Sequence, residues 1–183
     1  MRVRNYIIAF IALSVFAASC NKESLKNEWS KQEKNIETFL ANEMKSDSTF
    51  YKVGNKGSER LVRVAGQGDS LTSKGTISFY YAGYVLKGPG LSASNLFATN
   101  KESIATAAGW TLSGDNQFAI ETLSLDESGL VQGLKNGLLG VKGGEECVIL
   151  FSGRYGFGKS NLGTIPANSA LAYHIWVESI SNE

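Results

Sequence analysis

Between Leu130 and Ile180 the chain spells out a helix, a polar turn, a strand, a glycine-rich loop, an Ile-Pro corner and a closing strand, and this order leaves few folds open. Leu130, Leu134, Leu138 and Val141 recur at four, four and three, which predicts a helix over 130–141 with one apolar face. Gly143-Gly144-Glu145-Glu146 is a turn, and Cys147–Ser152 reads as a strand whose apolar run suits a buried position. Leu171–Ile180 reads as the last strand. Upstream, Arg60-Leu61-Val62-Arg63-Val64 alternates polar with apolar, and Thr76–Tyr84 is β-branched and aromatic, so both are predicted strands. Phe118–Leu125 is a further strand. Residues 86–117 are rich in Gly, Ser, Ala and Asn and read as a long loop with one helical turn near Ile104–Ala108. One short helix set against antiparallel strands is an α+β arrangement, and residues 50–183 are expected to form it as one domain.

The N-terminal part is organised differently. Arg2 and Arg4 precede an apolar run from Tyr6 to Phe16, then Ala17-Ala18-Ser19-Cys20. A basic start, a short apolar stretch and small residues are the form of an export signal over residues 1–19. The small-small-Cys ending is similar to a bacterial lipobox, with Ala17 where leucine is usual, and it implies lipid on Cys20. The expected location is therefore the bacterial cell envelope, with attachment by lipid and no spanning helix. Residues 20–49 read as a tether and an amphipathic helix. Leu25, Trp29, Ile36, Leu40 and Met44 share one helical face, which either packs on the domain or serves as a docking surface.

Charge and composition exclude several classes. The 183 residues carry a formal net charge of +1. Leaving out Arg2 and Arg4 from the 18 Lys and Arg leaves 16 basic against 17 acidic residues, with no basic stripe to follow a phosphate backbone. Cys20 and Cys147 are the two cysteines; a lipid on the first leaves Cys147 as a buried free thiol. With His174 the single histidine, zinc sites and histidine-based triads lack their residues. No cofactor or metal is expected. Gly153-Arg154-Tyr155-Gly156-Phe157-Gly158-Lys159-Ser160 satisfies the phosphate-loop pattern G-x-x-x-x-G-K-S. That chemistry needs a helix N-terminus directly after the loop, and Gly163, Pro166 and Asn168 would break such a helix. Nucleotide binding is rejected on that ground.

Several separate motifs in residues 50–183 resemble the FK506-binding-protein (FKBP) type of peptidyl-prolyl isomerase. Tyr80-Tyr81-Ala82-Gly83 is similar to the His-Tyr-Thr-Gly strand of that family, Leu96-Phe97-Ala98-Thr99-Asn100 to its Phe-Asp-Ser-Ser segment, and Leu130-Val131-Gln132-Gly133-Leu134 to its Val-Ile-x-Gly-Trp helix entry. Tyr155-Gly156-Phe157-Gly158 is similar to Tyr-Ala-Tyr-Gly, and Ile165-Pro166-Ala167-Asn168 to Ile-Pro-Pro-Asn. The resemblance implies a twisted antiparallel sheet wrapped on one short helix, with the N-terminal helix as an extension. It implies a prolyl pocket built from Tyr81, Phe97, Val131, Leu134, Phe157, Ile165 and Tyr173, with the Val131 N–H as the donor to a substrate carbonyl. The implied partners are Xaa-Pro segments of unfolded or extended polypeptides, assisted in folding during export.

The reaction needs no acid, base or nucleophile. Twisting a peptide bond costs ~18–20 kcal/mol because resonance is lost, and an apolar cavity favours the twisted amide over the charge-separated planar one. Three departures from the family bear on rate. Ala98 stands where Asp is usual, Phe157 where a Tyr hydroxyl would donate, and Leu134 where Trp forms the floor. Each lost hydrogen bond is worth about 0.5–1.5 kcal/mol. The implied activity is a weakened isomerase, or alternatively a catalytically silent module that holds client chains. The segment from Phe97 to Leu130 is also longer than in a minimal family member, and its Trp110 and Phe118 are expected at the pocket rim.

Overall fold

The computed structural model describes residues 3–111 and 117–182, with side chains described from residue 22 onward. The elements run α1 (Val3–Ser46), β1 (Tyr51–Asn55), β2 (Ser58–Val64), β3 (Thr76–Val85), β4 (Leu96–Thr99), α2 (Glu102–Ala107), β5 (Glu121–Ser124), α3 (Gln132–Leu138), β6 (Glu146–Phe151) and β7 (Leu171–Ser181). All strand pairs are antiparallel, in the order β1-β2-β6-β7-β3-β4, with β5 also on β3. The fold is the expected α+β sheet with one short helix against it and a helical N-terminal extension.

Alternation along the strands gives the sheet two apolar faces. Ile77, Phe79, Cys147, Ile149, Phe151, Tyr173 and Ile175 face inward, where they meet Leu134, Leu138 and Val141 of the α3 region. Leu61, Val148, Leu150 and Ala172 face outward, where they meet Ile36, Phe39 and Leu40 of α1. Residues 22–46, expected as tether and helix, are helical throughout, and the helix packs on the domain. Ile36 and Leu40 of the predicted face are buried, and Met44 packs at the edge. Leu25 and Trp29 are half-buried.

The helix α3 spans two turns and stops before Val141, shorter than the apolar period predicts. Leu139 is extended and Gly140 has φ 85°, so the backbone turns away while Val141 still reaches the core. Gly133 allows the helix to lie directly on β6: a Cβ there would overlap the Phe151 ring. Polar side chains from the β1–β2 hairpin hold the helix in place. Ser58 Oγ donates to Gly133 O at 2.7 Å, and Asn55 Nδ2 to Asn136 O at 2.9 Å. Arg60 is 6% exposed and donates to Gly137 O at 2.9 Å and Leu139 O at 3.1 Å. It thus fills carbonyls that the helix end leaves open and puts a cation at the negative end of the helix. Glu145 lies 3.2 Å from Arg60 Nε and balances its charge.

Candidate functional site

The inner face is not filled along its whole length. At the N-terminal entry of α3, a cavity of about 260 Å³ opens among strands, helix entry and loop. Phe79 and Tyr81 come from β3, Phe97 and Ala98 from β4, Glu121 and Leu123 from β5, and Tyr173 from β7. Gly129, Leu130, Val131 and Leu134 line the helix side, and Phe157 comes from the glycine-rich loop.

The aromatic walls brace each other. Phe97 meets Tyr173 edge to face at 5.7 Å and 82°, and Tyr173 stacks on Phe151 at 6.0 Å. Gly83 makes the first contact possible, because a Cβ on it would sit 2.6 Å from Phe97 Cζ. Burial pushes the Tyr173 hydroxyl well above its ordinary pKa, and Tyr81 adds to the shift. The Tyr81 hydroxyl is raised mainly by burial and secondarily by Glu121. Both phenols are therefore neutral donors at physiological pH.

The cavity exists because the sheet forks. β3 pairs with β5 over Thr76–Phe79 and with β4 over Ala82–Tyr84, leaving its middle without a strand on that side. Asn100 fills the gap. Its Oδ1 accepts the Tyr81 N–H at 2.6 Å, and its Nδ2 donates to Phe79 O at 3.3 Å and Ala119 O at 3.1 Å. Thr99 Oγ1 donates to Tyr81 O at 2.6 Å. The Asn100 N–H donates to the same oxygen at 3.3 Å, so the backbone of Tyr81 is satisfied without a neighbouring strand, and the tyrosine is fixed at the mouth of the fork.

On the opposite side, the first α3 bond runs from Lys135 N to Val131 O. Val131 is therefore the cap residue, and its N–H lies outside the helical ladder. Val131 also lines the cavity, so an unspent backbone donor belongs to the residue at its edge. The glycine-rich loop is tied to α1. Gln32 Oε1 accepts the Gly153 N–H at 2.8 Å, and Gln32 Nε2 donates to Asn168 O at 2.8 Å. The loop makes turns after its short 3-10 segment (Gly153–Tyr155), and no helix follows Ser160 before β7. The phosphate-loop pattern thus lacks the helix its chemistry requires.

Six of the seven residues implied for the prolyl site meet here: Tyr81, Phe97, Val131, Leu134, Phe157 and Tyr173. Ile165 does not line the cavity; it is 6% exposed and packed in the inner core beneath it. Trp110 and Phe118, expected at the rim, are not there. Trp110 packs against Ala82, Tyr84 and Leu96, a cluster on the outer side of β3. Phe79, Glu121 and Leu123 are wall residues that motif matching missed, because none belongs to a fixed-spacing signature. Cys20 lies outside the residues whose side chains are described. Cys147 is a buried free thiol, and burial first, then Glu145, pushes its pKa up.

A two-faced sheet with its cavity at the helix entry is an FKBP-like fold. The sequence profile of the FKBP-type peptidyl-prolyl cis-trans isomerase family matches residues 109–178, which include β5, α3, β6, the glycine-rich loop and most of β7. Tyr81 and Phe97 lie upstream of that stretch. Among solved structures, FkpA from Escherichia coli superposes with a TM-score of 0.55 at 16% identity, over 99% of this chain and 74% of that one. The three FKBP domains of wheat FKBP73 give 0.54 at 16% identity, over 72% of this chain and 49% of that one. The N-terminal domain of FKBP42 from Arabidopsis thaliana gives 0.53 at 13%, over 72% and 93%. A comparison with curated proteins finds no match.

Proposed function

We propose that this protein is a peptidyl-prolyl cis-trans isomerase of reduced activity that acts on exported or envelope polypeptides. The observation that carries the reading is the pairing of an apolar aromatic cavity with a backbone donor at its edge. A prolyl ring seats among Tyr81, Phe97, Leu134 and Tyr173, away from water. The Val131 N–H holds the carbonyl that precedes the proline. Desolvation then disfavours the planar, charge-separated amide, and the hydrogen bond fixes one side while the other rotates. No proton changes hands and no cofactor takes part.

The weakened activity follows from two wall residues. Phe157 lines the cavity without a hydroxyl, and Ala98 without a carboxylate. These losses also favour a second reading, in which the cavity holds prolyl segments without turning them over. NMR exchange spectroscopy of a short Leu-Pro or Phe-Pro peptide separates the two. Faster cis-trans exchange with the wild-type protein, lost in Tyr81→Ala, supports the isomerase. Peptide shifts without acceleration at micromolar protein support the client-binding module.

Location is part of the same proposal. The apolar run before Ala18-Ser19-Cys20 supports export and lipid attachment at Cys20. Among the described residues no helix is long and apolar enough to cross a membrane. Mass spectrometry of the mature chain should find a diacylglyceryl group on Cys20, and Cys20→Ser should abolish both that mass and partition into detergent. An unmodified Cys20 in the processed protein would sink the lipid assignment.

A further inference from the structure

Glu121 carries a charge that the aromatic cavity does not need. In the register of β3 with β5 it stands opposite Phe79, so its side chain leaves the sheet on the cavity side. It lines the cavity and is exposed to solvent. Among the described residues no other acidic or basic side chain lines it; the remaining ionisable groups are the hydroxyls of Tyr81 and Tyr173. The ion pairs among the described residues are Arg60–Glu145, Arg63–Glu43 and His174–Glu146, so Glu121 has no cation of its own. Its field is felt inside the cavity, where it helps to raise the Tyr81 hydroxyl.

We infer that Glu121 selects prolyl segments with a lysine or arginine beside the proline. The inference rests on the reading of the cavity as a prolyl site and adds its substrate class. A proline ring fills the neutral aromatic part, and the neighbouring side chain must cross the rim that Glu121 occupies. A cationic neighbour gains attraction there; an anionic one meets repulsion. Ala98 on the facing strand offers no charge to offset this. For a solvent-exposed rim charge the discrimination is modest, about three- to tenfold between Lys and Glu at low salt. It shrinks as salt rises, because screening shortens to ~3 Å at 1 M.

The test uses the full chain and blocked tetrapeptides that place Lys, Gln or Glu either before or after the proline. NMR reads both binding, from shift changes, and cis-trans exchange. The expected order at 20 mM salt is Lys over Gln over Glu in at least one of the two positions, with the spread falling below about twofold at 1 M. Glu121→Gln should bring the Lys-to-Glu ratio close to one, whereas Glu28→Gln, the same charge change on an exposed face of α1, should leave the ratio as it was. Equal acceleration of all peptides at both positions overturns the role of Glu121 and leaves the isomerase reading standing. A charge preference in binding with no acceleration upholds Glu121 and overturns the isomerase reading. If no peptide binds or is accelerated, both fail together.

Discussion

On the outer face of the sheet, Ile36, Phe39 and Leu40 of α1 meet Leu61, Val148, Leu150 and Ala172, and none of these seven is more than 3% exposed. On the inner face, α3 lies over β1, β2 and β6, and about 260 Å³ stays open beside it, walled by β3, β4, β5 and Tyr173 of β7. The strands alternate, so neighbouring residues such as Ala172 and Tyr173 serve the two faces in turn. The outer face is closed by plain interdigitation. The inner face is held partly by hydrogen bonds from Ser58, Asn55 and Arg60, which set α3 at a fixed place without filling the space beside it. Stability and site are thus divided between opposite sides of one sheet.

That division is testable, and the largest effect lies on the closed side. Phe39→Ala should cost about 3–5 kcal/mol, because it removes a fully buried aromatic where the surrounding strands cannot collapse. Urea denaturation reads the loss, while peptide exchange per folded molecule should stay as in the wild type. A fall in exchange along with stability would break the separation of the two faces.

A smaller effect concerns acid. His174 sits on the outer face, 2.8 Å from Glu146 and stacked on Trp176 at 3.8 Å. Burial holds its pKa down to about 4; Arg63 and Lys101 add to that, and the hydrogen bond to Glu146 opposes it. The unfolded chain therefore takes up a proton near pH 6.5 while the folded one does not. Stability from this group is complete above about pH 6.5 and is lost as pH falls toward 4, by on the order of 3 kcal/mol. Denaturation of wild type and His174→Gln at pH 7 and pH 4.5 should show the variant losing less. Equal slopes would mean that His174 is not held neutral.

The smallest effect is at Gln32, which links α1 to the cavity loop beside the weaker contact of Ser152 Oγ with Glu33 Oε1 at 3.3 Å. Gln32→Ala removes two hydrogen bonds, each worth about 0.5–1.5 kcal/mol, and loosens the loop that carries Phe157. Peptide affinity should weaken a few-fold with a loss of stability of about 1–3 kcal/mol. Affinity unchanged in Gln32→Ala would show that Phe157 is held by its own loop.

The sequence and the structure agree best where packing is local. The strands from Thr76, Cys147 and Leu171 and the apolar face of α3 were legible because burial forces apolar residues into a period. β1 was not, since Tyr51–Asn55 is an exposed edge strand with little burial to pattern it. Its one signal is the turn at Lys56-Gly57, where φ values of 46° and 86° suit a tight hairpin. Phe39 was missed on α1 because it lies beside the spacing of fours that marked Ile36 and Leu40. In the site, motif matching pointed to six residues that line the cavity and to Ile165, which lies in the core beneath it; it did not point to Glu121, because an exposed glutamate in a strand looks like any solvated side chain. Asn100 was visible as part of a segment, but its role depends on a missing strand that only the topology reveals.

The fork at Asn100 also bears on how such a domain can grow. The chain leaves β3 as β4 and returns to the same strand as β5, and each of the two has its own ladder. Whatever lies between is anchored at both ends without setting the register of any other pair. Doubling the length of such a segment costs only about 0.6 kcal/mol in closure entropy. Between Trp110, which packs on the outer cluster, and Ala119, which bonds Asn100, sequence can therefore be added while Tyr81 and Phe97 stay in position. A lineage could lengthen this stretch freely, and an engineer could use it to hang a recognition element beside the cavity.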